Sequence, residues 1–244
     1  MINKYVLITG SSRGIGRATA LKFASEGFHV FLNCCTSFKQ LEEVGREIHL
    51  QGKGSCQMIP GDVGNPDSVK EMFGIIEDAC PCLDVLVNNA AISHIGLLTD
   101  LSTKQWNRMI QTNLSSAFYC SREAIPGMIA RKSGKIINIS SIWGRVGASC
   151  EVAYSATKAG LDGFTKALAK ELAPSNVQVN AISCGVVDTD MNSSLSHVEK
   201  HELKNEIPAG RFATVEEVAE LIFDISNGHN YLTGQIIGLD GGYL

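Results

Sequence analysis

Two residues four apart, Tyr154 and Lys158, carry the most pointed chemistry in this chain of 244 residues. On a helix that spacing puts both side chains on one face. A free tyrosine hydroxyl titrates at about 10, too high for easy proton exchange at neutral pH, and a neighbouring ammonium favours the phenolate and lowers that value. A phenol tuned in this way can protonate a carbonyl oxygen as hydride reaches the carbonyl carbon, or run the reverse. Taken alone, Tyr-x-x-x-Lys is common by chance and usually a surface pair. It gains weight from Ser141, which ends a short apolar run just upstream, where a hydroxyl could hold the substrate oxygen.

A hydride needs a carrier, and the N-terminal region has the residues to hold one. Thr9-Gly10-Ser11-Ser12-Arg13-Gly14-Ile15-Gly16 separates the first apolar run from a helical stretch. In such a loop Gly10 permits the tight turn, Gly14 lets the backbone approach a pyrophosphate, and Gly16 packs helix against strand. The unpaired N–H groups of the helix start then face the anion. An acidic residue about 20 positions further on would hold the ribose hydroxyls of NAD. Here the stretch reads Asn33-Cys34-Cys35-Thr36-Ser37-Phe38-Lys39, without a carboxylate. Arg13 in the loop, with Thr36, Ser37 and Lys39 nearby, offers donors to an extra phosphate, so the expectation is NADP(H). Read alone, Arg13 and Lys39 would be ordinary surface charges.

The elements that must position these residues follow from periodicity. Short β-rich runs at 5–8, 29–32, 57–59, 83–87, 135–139, 177–182 and 235–239 alternate with helical stretches at 15–26, 41–50, 67–79, 103–131, 154–172 and 214–225. The third of these helices is opened by Asn65 and Pro66, and the fourth is a candidate for a kink near Pro126. Alternation of this kind predicts an α/β class, a doubly wound parallel sheet with helices on both faces. The segment 190–208 breaks the rhythm with a serine-rich, polar stretch, which predicts a substrate loop. With no linker in between, residues 1–244 read as a single domain. Hydrophobic residues make up 44% and charged residues 19%, a globular balance, and the net charge of −4 argues against a nucleic-acid partner. No apolar run is long enough for a transmembrane helix, and the start Met1-Ile2-Asn3-Lys4 leads straight into the first strand, so a cytoplasmic protein is expected. The eight cysteines form no C-x-x-C pair and no zinc spacing, so reduced thiols and no metal are expected.

Several of these features occur together in one known pattern. T-G-S-S-R-G-I-G, Asn88-Asn89-Ala90-Ala91, Asn113, Ser141, Tyr154-x-x-x-Lys158 and Asp240-Gly241-Gly242 resemble the short-chain dehydrogenase/reductase family, in order and spacing, along the whole chain. The resemblance implies a Rossmann-type sheet of seven strands, usually in a homotetramer. It implies that Ser141, Tyr154 and Lys158 are catalytic and that Asn113 supports a water linking Lys158 to solvent. It further implies adenine contacts from Asp62 and Val63, a ribose wall from Asn89 and Ala90, and a carboxamide contact from Thr189. Ser12, Ile15 and Val187 join the cofactor-binding positions on the same ground. Singly, Asn113 would be a helix-surface or capping residue and Asp62 a turn former. Ala91 stands where the family has glycine, a tolerable change. Cys184-Gly185 replaces the usual Pro-Gly, a change expected to loosen the nicotinamide wall. Ser140 competes with Ser141 as the catalytic serine, and family spacing favours Ser141.

Within the family the chain is most similar to 3-oxoacyl-[acyl-carrier-protein] reductases, through N-I-S-S, Y-S-A-T-K-A-G, I-P-A-G-R-F and L-T-G-Q. That likeness implies a carrier-bound or small-molecule ketone as substrate and a place in fatty acid biosynthesis. The stretch from Ser141 to Val152 also resembles bacterial relatives that reduce a 5-aminopentanone group on elongation factor P. Glu151, three residues before Tyr154, could pair with a substrate ammonium, or it could simply cap the helix start. His94, Trp143 and Cys150 are further candidates for the pocket wall, and Cys150 reads equally well as a structural thiol. An alcohol dehydrogenase for steroids or sugars, or a catalytically silent dinucleotide sensor, remains open on the same scaffold. A sensor should have lost Ser141, Tyr154 or Lys158, and all three are present.

Overall fold

Val6 and Ile8 join the hydrophobic cluster on one face of the sheet and Leu7 the cluster on the other, and all three are fully buried. A strand apolar at successive positions needs cover on both sides. The computed structural model describes residues 4–192 and 196–244. The first three residues of the chain, and 193–195 within the polar segment, lie outside them.

Seven parallel strands form one sheet in the order β3-β2-β1-β4-β5-β6-β7. They are β1 (Tyr5–Ile8), β2 (His29–Leu32), β3 (Ser55–Met58), β4 (Val85–Asn88), β5 (Gly134–Ser141), β6 (Val177–Cys184) and β7 (Ile236–Leu239). The helices are α1 (Gly14–Ser25), α2 (Phe38–Gln51), α3 (Pro66–Ala79), α4 (Thr103–Ile110), α5 (Ser116–Arg131), α6 (Trp143–Val146), α7 (Val152–Leu172), α8 (His197–Glu206) and α9 (Val215–Ser226). Phe23 of α1, Val44 of α2 and Ile222 of α9 cover one face of the sheet; Phe73 of α3, Met128 of α5 and Leu168 of α7 cover the other. The strand order reverses between β1 and β4, so a crevice opens beyond their carboxyl ends. The α/β class, the seven parallel strands and the helices on both faces are as the sequence predicts.

Local chemistry explains most boundaries. Asn65 Oδ1 accepts the N–H groups of Asp67 (2.9 Å) and Ser68 (3.3 Å), and Pro66 fills the first turn of α3. Several boundaries differ from expectation. Helix α2 starts three residues early, at Phe38, and β3 is shifted to Ser55–Met58, an edge strand whose half-exposed pattern carries little apolar signal. Strands β5 and β6 run on through Ser141 and Cys184, because in the middle of a covered sheet even serines are buried. The expected helix over 103–131 is interrupted by a π-helical turn at Gln111–Ser115, and α5 continues through Pro126. The short helix α6 and the two-residue earlier start of α7 had no clear periodic signal. In the polar segment, α8 is opened by a capping box in which Ser196 and Glu199 bond each other's backbone.

Candidate active site

The glycine loop is pinned into shape from below. Thr9 Oγ1 accepts the backbone N–H groups of Asn89 (2.9 Å) and Ala90 (3.0 Å), and Asn89 Nδ2 donates to the carbonyls of Thr9 and Gly10. Asn33, at the end of β2, accepts from Gly10 N and donates to the carbonyls of Ile59 and Gly61. Gly10 and Gly14 sit at φ +65° and +54°, in the left-handed region. A Cβ on Gly16 would collide with the Gly10 carbonyl. Helix α1 begins at Gly14 with no side-chain cap on its free N–H groups, so this cradle fits a pyrophosphate. Ile15 packs partly buried behind it, Ser12 is buried within it, and Gly14 faces the Thr189 methyl.

At the far end of the cradle, Arg13 Nη1 lies 3.3 Å from Ser37 Oγ, bringing a guanidinium and a hydroxyl to the start of α2 beside exposed Thr36. No carboxylate directly follows β2, while Asp190 Oδ2 stands 3.9 Å from Arg13 Nε; the guanidinium and the two hydroxyls are donors that could receive a phosphate. Asp62 is held bidentately by Arg108 of α4 (2.6 and 3.2 Å) and accepts the Gly64 N–H. That lowers its carboxyl against the opposing effect of burial. Val63 beside it is buried in the core cluster on the α3 side of the sheet. Neither the Arg108 clamp nor the Asn33 pin is apparent from sequence, because the partners lie 46 and 23 residues apart.

The residues expected to be catalytic lie where β5, β6 and α7 meet. Ser141 ends β5 opposite Cys184 of β6, and Tyr154 and Lys158 lie one turn apart on α7. Ser141 Oγ accepts the Trp143 N–H at 3.2 Å and is hydrogen-bonded to Tyr154. Ser140 instead lies against the Lys158 carbonyl, away from the phenol. Asn113, in the π-helical turn, donates to the Ile92 carbonyl (2.8 Å) and Thr157 Oγ1 (3.2 Å) and accepts from Ile92 N. It thus ties the loop after β4 to α7. An extra residue in a helical turn is a common way to present such a group.

The electrostatics correct one expectation. Burial pushes the Tyr154 phenol above its usual range, coupling to Cys184 and Glu151 adds to this, and only the Ser141 bond opposes it. Lys158 Nζ donates to the Ile139 carbonyl at 2.7 Å and lies 5.5 Å from the centre of the Tyr154 ring. Burial brings Lys158 down to about 8, against the opposing influence of Cys184 and Asp162. The phenol therefore holds its proton here rather than being acidified by the amine, because the cost of burying the phenolate dominates. A protonated phenol is the state required to protonate a developing alkoxide.

Of the pocket candidates, Trp143 packs on the buried trio Met109, Ala153 and Tyr154, edge-on to Tyr243. His94 and Cys150 line one small recess with Val152 and Ala153. Cys150 sits in the left-handed region at φ +62° and accepts the Gly96 N–H, so its backbone fixes the turn before α7. Glu151 occupies the N-cap position of α7 but makes no side-chain cap bond. Its carboxylate bonds Trp143 and is raised by burial. Cys184 accepts the Ile142 N–H and Gly185 donates its N–H to the Leu239 carbonyl, so both are tied to neighbouring backbone. Val187, buried, bridges Ala213 beside it. All eight cysteines are free thiols. Among the described residues no three metal-binding side chains cluster, and no helix is long and apolar enough to cross a membrane.

The family profile described as short chain dehydrogenase matches residues 4–200. The chain belongs to the short-chain dehydrogenase family. It is 40% identical over 242 residues to the 3-oxoacyl-[acyl-carrier-protein] reductase FabG of Staphylococcus aureus, covering 99% of this chain and 98% of the other. It is 37% identical over 243 residues to YmfI of Bacillus subtilis, described as an uncharacterised oxidoreductase, covering 99% of each. The crystal structure of a 3-oxoacyl-[acyl-carrier protein] reductase from Brucella melitensis superposes with a TM-score of 0.92 at 30% identity, over 99% of this chain and 91% of that one. As a short-chain dehydrogenase the chain is an oxidoreductase acting with a nicotinamide dinucleotide.

Proposed function

We propose that this short-chain dehydrogenase is an NADP(H)-dependent reductase that converts a ketone to a secondary alcohol, in the manner of 3-oxoacyl-[acyl-carrier-protein] reductases. The observation that carries the reading is the convergence of Ser141, Tyr154 and Lys158 beside a phosphate cradle at the strand ends. When bound, the reduced dinucleotide supplies the hydride. Ser141 and Tyr154 would hold the carbonyl oxygen, and Tyr154 would give it a proton. Lys158 would orient the ribose and refill the phenol, with Asn113 keeping the loop and helix in register for a water path to solvent. Arg13, Ser37 and Thr36 would receive the extra phosphate of NADP(H). The described parts of the polar segment, 190–192 and 196–208, would contact the substrate.

The test is NADPH oxidation with a β-ketoacyl thioester and with an aminoketone, compared by kcat/KM. Turnover of neither, despite tight NADPH binding, would favour a silent dinucleotide sensor. A second reading, reduction of an amine-bearing ketone such as 5-aminopentanone on elongation factor P, is favoured by Glu151. Its uncapped carboxylate stands close enough to Tyr154 to affect the phenol. Glu151→Gln should then lower kcat/KM for the aminoketone about tenfold while sparing a neutral ketone; equal loss for both counts against charge pairing. We also infer a cytoplasmic homotetramer, with exposed Phe118 and Ile129 of α5 available for assembly, which light scattering would test.

A further inference from the structure

A titratable group outside the reaction scheme above lies directly behind the reactive face. Asp162 is one turn beyond Lys158 on α7 and only 6% exposed. Its carboxyl stands near Ser140 of β5, whose Oγ donates to the Lys158 carbonyl at 3.5 Å. Its Oδ1 has no hydrogen-bond partner among the described residues, and the same holds for Oγ of fully buried Ser183, which pairs with Ser140 across β5 and β6. A buried carboxyl with an unpaired oxygen costs stability wherever it serves only packing. An apolar side chain would fill this place between helix and sheet without that cost.

We propose that Asp162 is a positioning residue for catalysis, a buried counter-charge one helical turn behind Lys158 that keeps the Lys158 ammonium charged. The proposal rests on the reading of Lys158 as part of the reductase site. The groups coupled to Lys158 are Cys184 of β6 and Asp162, and Tyr154 lies one turn before it on α7. Burial pushes the Cys184 thiol up to about 12, so it is uncharged near neutrality and leaves Asp162 as the carboxylate that favours the ammonium. Asp162 itself is raised by burial, and is drawn back down by Ser140, Lys166, Lys158 and, from α6, Arg145. Removing its charge should let Lys158 lose its proton at lower pH, so that the alkaline limb of activity moves down.

The direct test is a carbon-13 NMR titration of lysine-labelled protein, with the Lys158 signal assigned through Lys158→Arg. Asp162→Asn keeps the shape and can still bond Ser140. It should lower the Lys158 midpoint by about half a pH unit or more, roughly threefold in its ionisation constant, and move the alkaline limb of kcat the same way. An unchanged Lys158 midpoint in the folded variant overturns the proposal. Should Asp162→Asn fail to fold, the unaltered chain gives the answer: the Lys158 signal should show a second, smaller inflection as Asp162 titrates in acid, and its absence overturns the proposal. Because these signals need no turnover, they separate the proposal from the reductase reading. Coupling without ketone reduction would refute the reductase alone, and reduction without coupling would refute the role of Asp162 alone.

Discussion

At the scale of single residues, the spacing of Tyr154 and Lys158 was legible, but the burial that governs the phenol was not. Sequence suggests an amine acidifying a phenol; burial of the phenol works the other way, and burial is a property of the folded chain. Arg13 was read as a phosphate donor; it lies 3.3 Å from Ser37 Oγ and 3.9 Å from the Asp190 carboxylate. Arg13→Ala should lower kcat/KM for NADPH about tenfold or more, the size of one charge-assisted bond, while changing NADH by less than about threefold. Steady-state rates with each cofactor decide this, and an equal loss for both would remove Arg13 from cofactor choice. Glu151 was weighed as a helix cap or a substrate partner; it sits at the N-cap of α7 without a side-chain cap bond and faces Trp143, and the aminoketone comparison decides the second role.

At the scale of elements, the glycine loop and the N-cap of α3 could be read directly, since their chemistry is confined to a few neighbouring residues. The π-helical turn around Asn113 could not, because the contacts that hold it reach Ile92 and Thr157, 21 and 44 residues away. The Arg108 clamp on Asp62 was hidden for the same reason. Gly16→Ala tests the packing of α1 on the loop. Its methyl would meet the Gly10 carbonyl and, at 2.6 Å, Asn89 Nδ2. Overpacking of this kind costs ~1–3 kcal/mol, so calorimetry should show weaker NADPH binding and a lower Tm; unchanged affinity would mean that the loop yields freely.

At the scale of the whole molecule, alternating strands and helices were enough to predict the doubly wound sheet, whereas the extent of β5 and β6 depended on which polar residues the fold buries. The buried amine has a consequence for stability. Lys158 titrates at about 8 in the folded chain and about 10.4 when unfolded. Between those values the unfolded state binds more protons, so this group's contribution to stability rises with pH; below about 8 its full penalty is present. Lys158→Met should therefore abolish activity yet stabilise the cofactor-free protein at pH 7 by ~1–2 kcal/mol, after allowing for the orphaned Ile139 carbonyl. The gain should shrink toward pH 10. Buried thiols titrate over the same range, so the difference between variant and unaltered protein is the quantity to measure in chemical denaturation. A destabilised variant at pH 7 would contradict the assigned burial penalty.

The central claim is that the Tyr154 hydroxyl supplies the proton. Single-turnover reduction of a ketone by NADPH, compared between the unaltered protein and Tyr154→Phe with cofactor binding checked by fluorescence, tests it most directly. The account predicts retained NADPH binding and a rate lowered by about 10²-fold or more. A phenylalanine variant that reduces the ketone at the original rate would contradict it.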